Sequence, residues 1–174
     1  MATNLEFIKS INTTSNVSSL SLTDVFSSTY DHYQVHLNVD DVDAEVAIEF
    51  RMINSGGVVS SSHYDHCHLF MRAGSGSTSG GSYEGADKWQ FSMYAEYNAG
   101  GFCVMNIFNP ANSAKWTMME YQTATHYYAS SNANHLGRKG YGVLRVAEAH
   151  TGIQCYAASS IITDAKFSVF GVKG

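Results

Sequence analysis

Two alternating segments within residues 32–53 constrain the fold more than any other stretch of this sequence. In each segment apolar and polar residues follow one another with a period of two, so that one face of an extended strand is buried and the other is wet. The apolar positions are Tyr33, Val35, Leu37 and Val39 in the first segment, and Val46, Ile48, Phe50 and Met52 in the second. The polar run at 40–43 lies between them, and the pattern predicts two strands paired as a β-hairpin.

The same kind of pattern extends over the whole chain. About ten strand-like segments are separated by turn signals every 8–12 residues, and none is long enough for a major helix. At most one short helical turn is expected, near residues 23–28, where Thr23-Asp24 resembles a helix cap. We therefore predict an all-β protein, a single antiparallel β-sandwich of jelly-roll type spanning residues 1–174.

Several local predictions follow from the pattern. The Gly/Ser-rich stretch 74–82 is predicted to be a surface loop, and 143–157 a further hairpin. The segment 102–108 is apolar on both faces, so we expect it in the centre of a sheet. Trp89 and Trp116 are expected in the core, because each alternates with polar neighbours.

Composition narrows the function classes. Only 14% of the 174 residues are charged and the net charge is −5, without a basic run, so nucleic-acid binding is not expected. No apolar run approaches the roughly 20 residues that span a bilayer, and no secretory signal is apparent. Cys67, Cys103 and Cys155 are odd in number and widely spaced, which favours free thiols over a disulfide framework.

Three segments carry a resemblance to a known family. They are Leu-Glu-Phe-Ile-Lys-Ser-Ile at 5–11, the segment 22–37 with Phe-Ser-Ser-Thr-Tyr-Asp-His-Tyr inside it, and Lys-Phe-Ser-Val-Phe-Gly-Val-Lys at 166–173. Together they resemble the small β-sandwich virion proteins and fibre-tip domains of tailed phages, especially those of marine and cyanobacterial hosts.

The resemblance implies a non-enzymatic virion component made in the host cytoplasm. It would be a capsid decoration (cement) protein, or a fibre or adaptor subunit attached to the tail. It implies a homotrimer that contacts other virion proteins, either the major capsid protein or tail proteins. No cofactor is expected.

The residues from His63 to His68 have the composition of a metal site, with three imidazoles, a carboxylate and a thiol. Strand alternation places only His66 and His68 on one face, so a third ligand would have to come from His32, His36 or a neighbouring subunit. The alternative is a pair of histidines on a wet face or at a subunit contact.

Two further function classes remain open. Exposed aromatic side chains stack on sugar rings or form oligomer contacts, and Tyr127 and Tyr128, beside a predicted loop, are the candidates for either role. The chain would then be a carbohydrate-binding, receptor-recognition module at a fibre tip, with a host surface glycan as its partner. An enzyme of the lyase or glycosidase type would need a cleft with paired carboxylates, whereas Glu45 and Glu49, on the wet face of a strand beside Arg51, indicate surface charge pairing with that arginine.

Overall fold

The computed structural model describes residues 4–73, 78–97, 99–129 and 132–173, and it describes only the backbone of residues 91, 92, 127–129 and 132–135. These residues form no helix, and thus none that would cross a membrane. They form thirteen strands: β1 (Leu5–Thr13), β2 (Ser19–Leu22), β3 (His32–Val42), β4 (Val46–Asn54), β5 (Gly57–Val58), β6 (Tyr64–Arg72), β7 (Thr78–Ala86), β8 (Trp89–Ala95), β9 (Gly101–Phe108), β10 (Trp116–Ala129), β11 (Asn132–Ala147), β12 (Gly152–Ala157) and β13 (Ile162–Val172).

The strands form two antiparallel sheets packed face to face. The larger sheet has eight strands in the order β1-β13-β3-β9-β10-β11-β6-β7. The smaller has the order β2-β12-β4-β5, and β8 also pairs with β4. The predicted antiparallel β-sandwich is confirmed.

The topology is a jelly roll with two insertions. Without β5 and the hairpins β6–β7 and β10–β11, eight strands remain, and successive ones mostly cross between the sheets. Counted along the chain, the first, eighth, third and sixth of these strands form one sheet; they are β1, β13, β3 and β9. The second, seventh, fourth and fifth form the other; they are β2, β12, β4 and β8. This is the double Greek key of a jelly roll. The inserted hairpins pair with each other through β11 and β6 and extend the larger sheet beyond β9. We call these four added strands the extension.

The core lies between the sheets. Tyr33, Val35, Leu37 and Val39 of β3 are each at most 1% exposed, as their alternation predicted. They face the apolar side of the smaller sheet, where Phe50 packs against Phe167 of β13 with ring centroids 6.3 Å apart. Trp89 is fully buried, as expected.

Two predicted hairpins are wrong. β3 pairs with β13 and β9 in the larger sheet, whereas β4 pairs with β12, β5 and β8 in the smaller one. The segments within 32–53 therefore face each other across the core instead of lying side by side. The same holds for 143–157, since β11 and β12 belong to different sheets. Alternation identifies the buried face of a strand but carries no information about its pairing partner.

Three further expectations need correction. Residues 23–28 form a bend and turn instead of a helical turn, and Asp24 has a φ of 58°, outside the conformation of a helix cap. Residues 78–82, predicted to be loop, form part of the edge strand β7, where backbone pairing to β6 needs no large side chains. Trp116 is 52% exposed because it lies at a register shift beside β11, away from the core.

Some glycines of the extension are tightly packed against neighbouring strands and others are not. Substituting one of each kind tests the pairing register of β10, β11 and β6. A Cβ at Gly140 would overlap the Tyr121 ring and lie 2.7 Å from the Cys67 carbonyl oxygen, and Tyr121 is only 2% exposed. We expect Gly140→Ala to lower the free energy of unfolding by about 1–3 kcal/mol through overpacking.

Gly137, on the same strand, is the control for this substitution. A Cβ there would have no neighbour closer than 3.7 Å. Gly137→Ala should therefore change the free energy of unfolding by no more than about 0.5 kcal/mol. Urea denaturation of both variants measures the difference, and equal effects would contradict the observed register of β10, β11 and β6.

Candidate functional site

The outer face of the larger sheet, the side turned away from the smaller sheet, carries the most distinctive surface chemistry. Alternate residues of each strand point to it, beginning with His32, Gln34 and His36 on β3. Its charged side chains include Glu120, Lys139 and the Asp65–Arg145 ion pair, and apolar groups and amides lie between them. Large parts of this face can therefore contact a partner without desolvation of charged groups.

Four large apolar side chains form a diagonal line across the extension, which we call the extension patch. They are Met118 on β10, Tyr141 on β11, and Leu69 and Met71 on β6. They are 49%, 51%, 67% and 59% exposed, respectively. Tyr141 pairs with Cys67, two residues before Leu69, and Met118 pairs with Val143, two residues after Tyr141. The four are thus diagonal neighbours and not scattered residues.

A second apolar group lies at the opposite edge of the same face, and we call it the amino-terminal patch. Leu5 and Phe7 on β1 are 42% and 60% exposed. Phe7 contacts Phe170 of β13 edge to face, with centroids 5.7 Å apart. Four strand intervals of about 4.8 Å separate β1 from β10 and six separate it from β6, so the extension patch lies about 19 to 29 Å from the amino-terminal patch.

A ladder of polar side chains crosses the middle of the outer face. His36 Nε2 contacts Gln34 Oε1 at 2.8 Å, and Gln34 Nε2 donates to Asn106 Oδ1 at 3.3 Å. Asn106 Nδ2 donates to Glu120 Oε1 at 2.9 Å. His32 Nε2 also contacts Asn106 Oδ1, at 3.2 Å. These bonds fix the orientation of planar groups on three adjacent strands.

A groove of about 400 Å³ lies next to this ladder. Most of its lining comes from β9 and β10, and it includes Phe102, which is 42% exposed. The side chains that give it its character are Gln34, Phe102, Val104, Asn106, Glu120 and Lys139. The groove therefore combines hydrogen-bonding groups with an aromatic surface.

His66 and His68 lie on the inner face of the extension, so they are not the wet-face residues considered above. They are 4% and 9% exposed. Their rings are nearly parallel, at 14°, with centroids 6.3 Å apart, and the Tyr83 ring stacks on His66 at 4.7 Å. Both nitrogens of His66 and Nδ1 of His68 lack a hydrogen-bond partner within the described part of the chain.

Burial controls the charge of this pair. Desolvation lowers the pKa of His66 to about 4, with a further decrease from His68 and an opposing effect of Asp65. Desolvation also lowers the pKa of His68, and the Arg138 guanidinium adds to the decrease. Both imidazoles are therefore neutral near pH 7, which suits stacking in the core of the extension.

The structure removes two of the predicted third metal ligands. His32 and His36 lie on the outer face of β3, whereas His66 and His68 lie on the inner face of β6. No group of three His, Cys, Asp or Glu side chains that would hold a metal occurs among the described residues. A ligand from a neighbouring subunit stays a prediction.

The other predicted positions are distributed over the fold. The backbone of Tyr127 and Tyr128 lies in β10, opposite Asn134 and Ala133, and their side chains lie outside the described part of the chain. Of the predicted acids, Glu49 is 3% exposed, and Lys88 Nζ lies 3.4 Å from its Oε2. Arg51 pairs with Asp87, and not with Glu45 or Glu49 as expected.

Sequence reasoning missed the ladder and the extension patch. The residues at 116–121 are apolar on both sides, so the sequence did not distinguish Met118, which is exposed, from Met119, which is 2% exposed. The available signal was this two-sided apolar pattern, because it indicates that both faces of a strand meet other groups.

Comparisons with known proteins add no family. No family model matches the sequence, and no curated protein matches it. Among solved structures, the chain aligns with one described as the structure of infectious bursal disease virus Gx strain, at 8% identity and a TM-score of 0.15. The alignment covers 98% of this chain and 39% of the viral chain, and no conclusion rests on it.

The buried histidines predict a pH-dependent stability. The unfolded chain takes up a proton on His66 as the pH falls below 6.5, while the folded chain resists protonation until about pH 4. The stability present above pH 6.5 is therefore lost progressively between pH 6.5 and 4, by roughly 2–3 kcal/mol from His66.

The test compares urea unfolding of the native chain and of His66→Phe between pH 7.5 and 4.5. Phe retains a ring to stack on Tyr83 but does not titrate. The free energy of unfolding of the variant should fall less steeply below pH 6.5, while His36 and His150 contribute equally to both curves. Parallel curves would show that His66 is not buried in the neutral form.

Proposed function

We propose that this chain is a non-enzymatic structural subunit of a tailed-phage virion that assembles as a homotrimer. It would be attached to the head as a decoration protein or to the tail as a fibre or adaptor subunit. The observation that carries the assembly proposal is the extension patch, four large apolar side chains exposed together on a flat sheet face. The virion assignment is supported by the resemblance of the segments 5–11, 22–37 and 166–173 to phage β-sandwich proteins.

The size of the face suits a stable contact. Four strands about 4.8 Å apart and about nine residues long give the extension an outer surface of roughly 20 by 30 Å. A stable interface buries about 800 Å² on each partner, so this surface supplies most of one side of a contact. Single exposed apolar residues are ordinary, but a contiguous apolar line on a flat face is typical of an interface.

A second copy of this chain is the proposed occupant. The amino-terminal patch is also apolar and exposed, and it lies about 19 to 29 Å away on the same sheet. Contact between two different patches of identical subunits is heterologous, and repeating it by a rotation closes a ring. Three copies close a ring when the two patches point about 60° apart, and the twist of a sheet, roughly 20° per strand, provides such an angle over the strands between them. Every patch is then buried. Glu120 lies opposite Tyr141 and Lys139 lies opposite Leu69, so the charges that border the extension patch balance and add little to the net charge of −5.

Native mass spectrometry and light scattering test the assembly. The native chain should be a trimer, and the double substitution Leu69→Asp with Met71→Asp should give monomers, because it places charges in the contact. Phe7→Asp should have the same effect from the other patch. Val58→Asp is the control: Val58 is 41% exposed but belongs to β5 of the smaller sheet, so the trimer should persist.

A mixing experiment distinguishes a heterologous contact from a symmetric one. The Leu69→Asp/Met71→Asp chain and the Phe7→Asp chain each retain one intact patch, and the two intact patches complement each other. The mixture should therefore contain a heterodimer that neither chain forms alone. A symmetric dimer of the native chain, or no heterodimer in the mixture, would contradict the head-to-tail arrangement.

Gold-labelled antibody imaging of intact particles from the source phage tests the virion assignment. We expect label on the particles. Label over the head would identify a decoration protein, and label confined to the tail would identify a fibre or adaptor subunit. Particles without label would reject the virion assignment whatever the oligomeric state.

A further inference from the structure

We propose that the groove beside the polar ladder binds a neutral sugar. This inference goes beyond the proposed assembly, because neither the head-to-tail contact nor the virion assignment requires the groove. It rests on three features of the described residues: the oriented amide and carboxylate groups, the exposed Phe102 ring, and the size of the groove.

The ladder presents hydrogen-bonding groups with capacity left over. The Gln34 and Asn106 amides each have two N–H groups, and the ladder bonds described above use one of each. Glu120 accepts from Asn106 through Oε1, and its carboxylate has a second oxygen for a further hydroxyl. Sugar hydroxyls both donate and accept, so they match a mixed set of amide N–H donors and carboxylate acceptors.

The geometry of the ladder is fixed before any ligand binds. Gln34 is held between His36 and Asn106, and Asn106 between Gln34 and Glu120. Groups already oriented by their neighbours lose little side-chain entropy on binding. The same bonds that stabilise the sheet surface would thus lower the cost of recognising a ligand.

Phe102 supplies the apolar half of the site. It belongs to the groove lining and is 42% exposed, and the His36 ring lies beside it with centroids 6.4 Å apart. A pyranose ring has an apolar C–H face and polar edges, so it can pack on an aromatic ring while its hydroxyls reach the ladder. Val104 contributes a further apolar surface to the groove.

Size and charge identify the class of sugar. A groove of about 400 Å³ is at the lower end of ligand-site volumes and holds roughly one or two sugar rings. Glu120 and Lys139, the two charged residues of the lining, balance each other, and the whole chain carries a charge of −5. A neutral hexose or N-acetylhexosamine therefore suits the site better than an acidic sugar.

Titration of the full chain with a panel of neutral methyl glycosides and disaccharides, followed by NMR chemical shifts, tests the proposal. The panel covers glucose, galactose, mannose and N-acetylglucosamine, with sialic acid as the acidic comparison. We expect saturable binding of at least one neutral sugar, with shifts centred on β3, β9 and β10. Binding of sialic acid alone would overturn the neutral class, and no saturable binding would overturn the site.

Three variants link binding to the groove. Phe102→Ala and Asn106→Ala should each weaken the affinity for the bound sugar at least tenfold, while thermal unfolding shows that both chains are folded. Tyr97→Ala is the control, because Tyr97 is 59% exposed but lies outside the groove, and its affinity should be unchanged. Equal loss in all three variants, or no loss in Phe102→Ala, would overturn the assignment.

The outcomes remain separable from those of the assembly proposal. The monomeric Phe7→Asp chain retains every groove residue named above, and its substitution lies on β1 outside the groove lining, so it should bind the same sugar with the same affinity per chain. Sugar binding without a trimer would support the sugar site and reject the proposed assembly. A trimer without sugar binding would support the assembly and reject the sugar site.

Discussion

The backbone pairing between β11 and β6 is the interaction on which the outer face depends. Two hairpins inserted far apart in the chain meet there, from Leu136 opposite Arg72 to Leu144 opposite Tyr64. An isolated two-stranded hairpin is at best marginally stable in water, so β6 and β7 need this attachment. Tyr64 fixes the start of β6 to the rest of the protein, because its hydroxyl donates to the Val59 carbonyl and accepts from the Met52 amide, both at 2.9 Å.

This attachment explains why the extension has two chemically different faces. Its inner face passes over β8 and is filled by aromatic and imidazole rings, with glycines where the rings approach the backbone. Among the described residues no second layer covers the outer face, and four large apolar side chains are exposed there. A surface that only completes a sheet does not need such residues, whereas a surface that contacts another molecule does.

The sequence predicted the sandwich and the buried face of β3 because alternation depends only on local spacing. It did not predict which strands pair: the segments at 33–39 and 46–52 look like a hairpin, but a jelly roll sends successive strands to opposite sheets. For the candidate site the limit is similar. His66 and His68 were correctly placed on one face, but their spacing does not reveal that β7 and β11 cover them. The ladder was not predictable, since Gln34, Asn106 and Glu120 are brought together only by the register of three strands.

The proposed contact and the proposed groove are compatible on one sheet because they occupy different strands for the most part. The amino-terminal patch lies on β1, and the extension patch extends from β10 to β6. The groove lies mainly on β3, β9 and β10, and its lining reaches the extension patch at Lys139 on β11. A head-to-tail contact that covers the two outer regions leaves this central region beside the interface. The ladder can face either solvent or the interface, since its amide oxygens already accept hydrogen bonds within the chain and need no partner molecule.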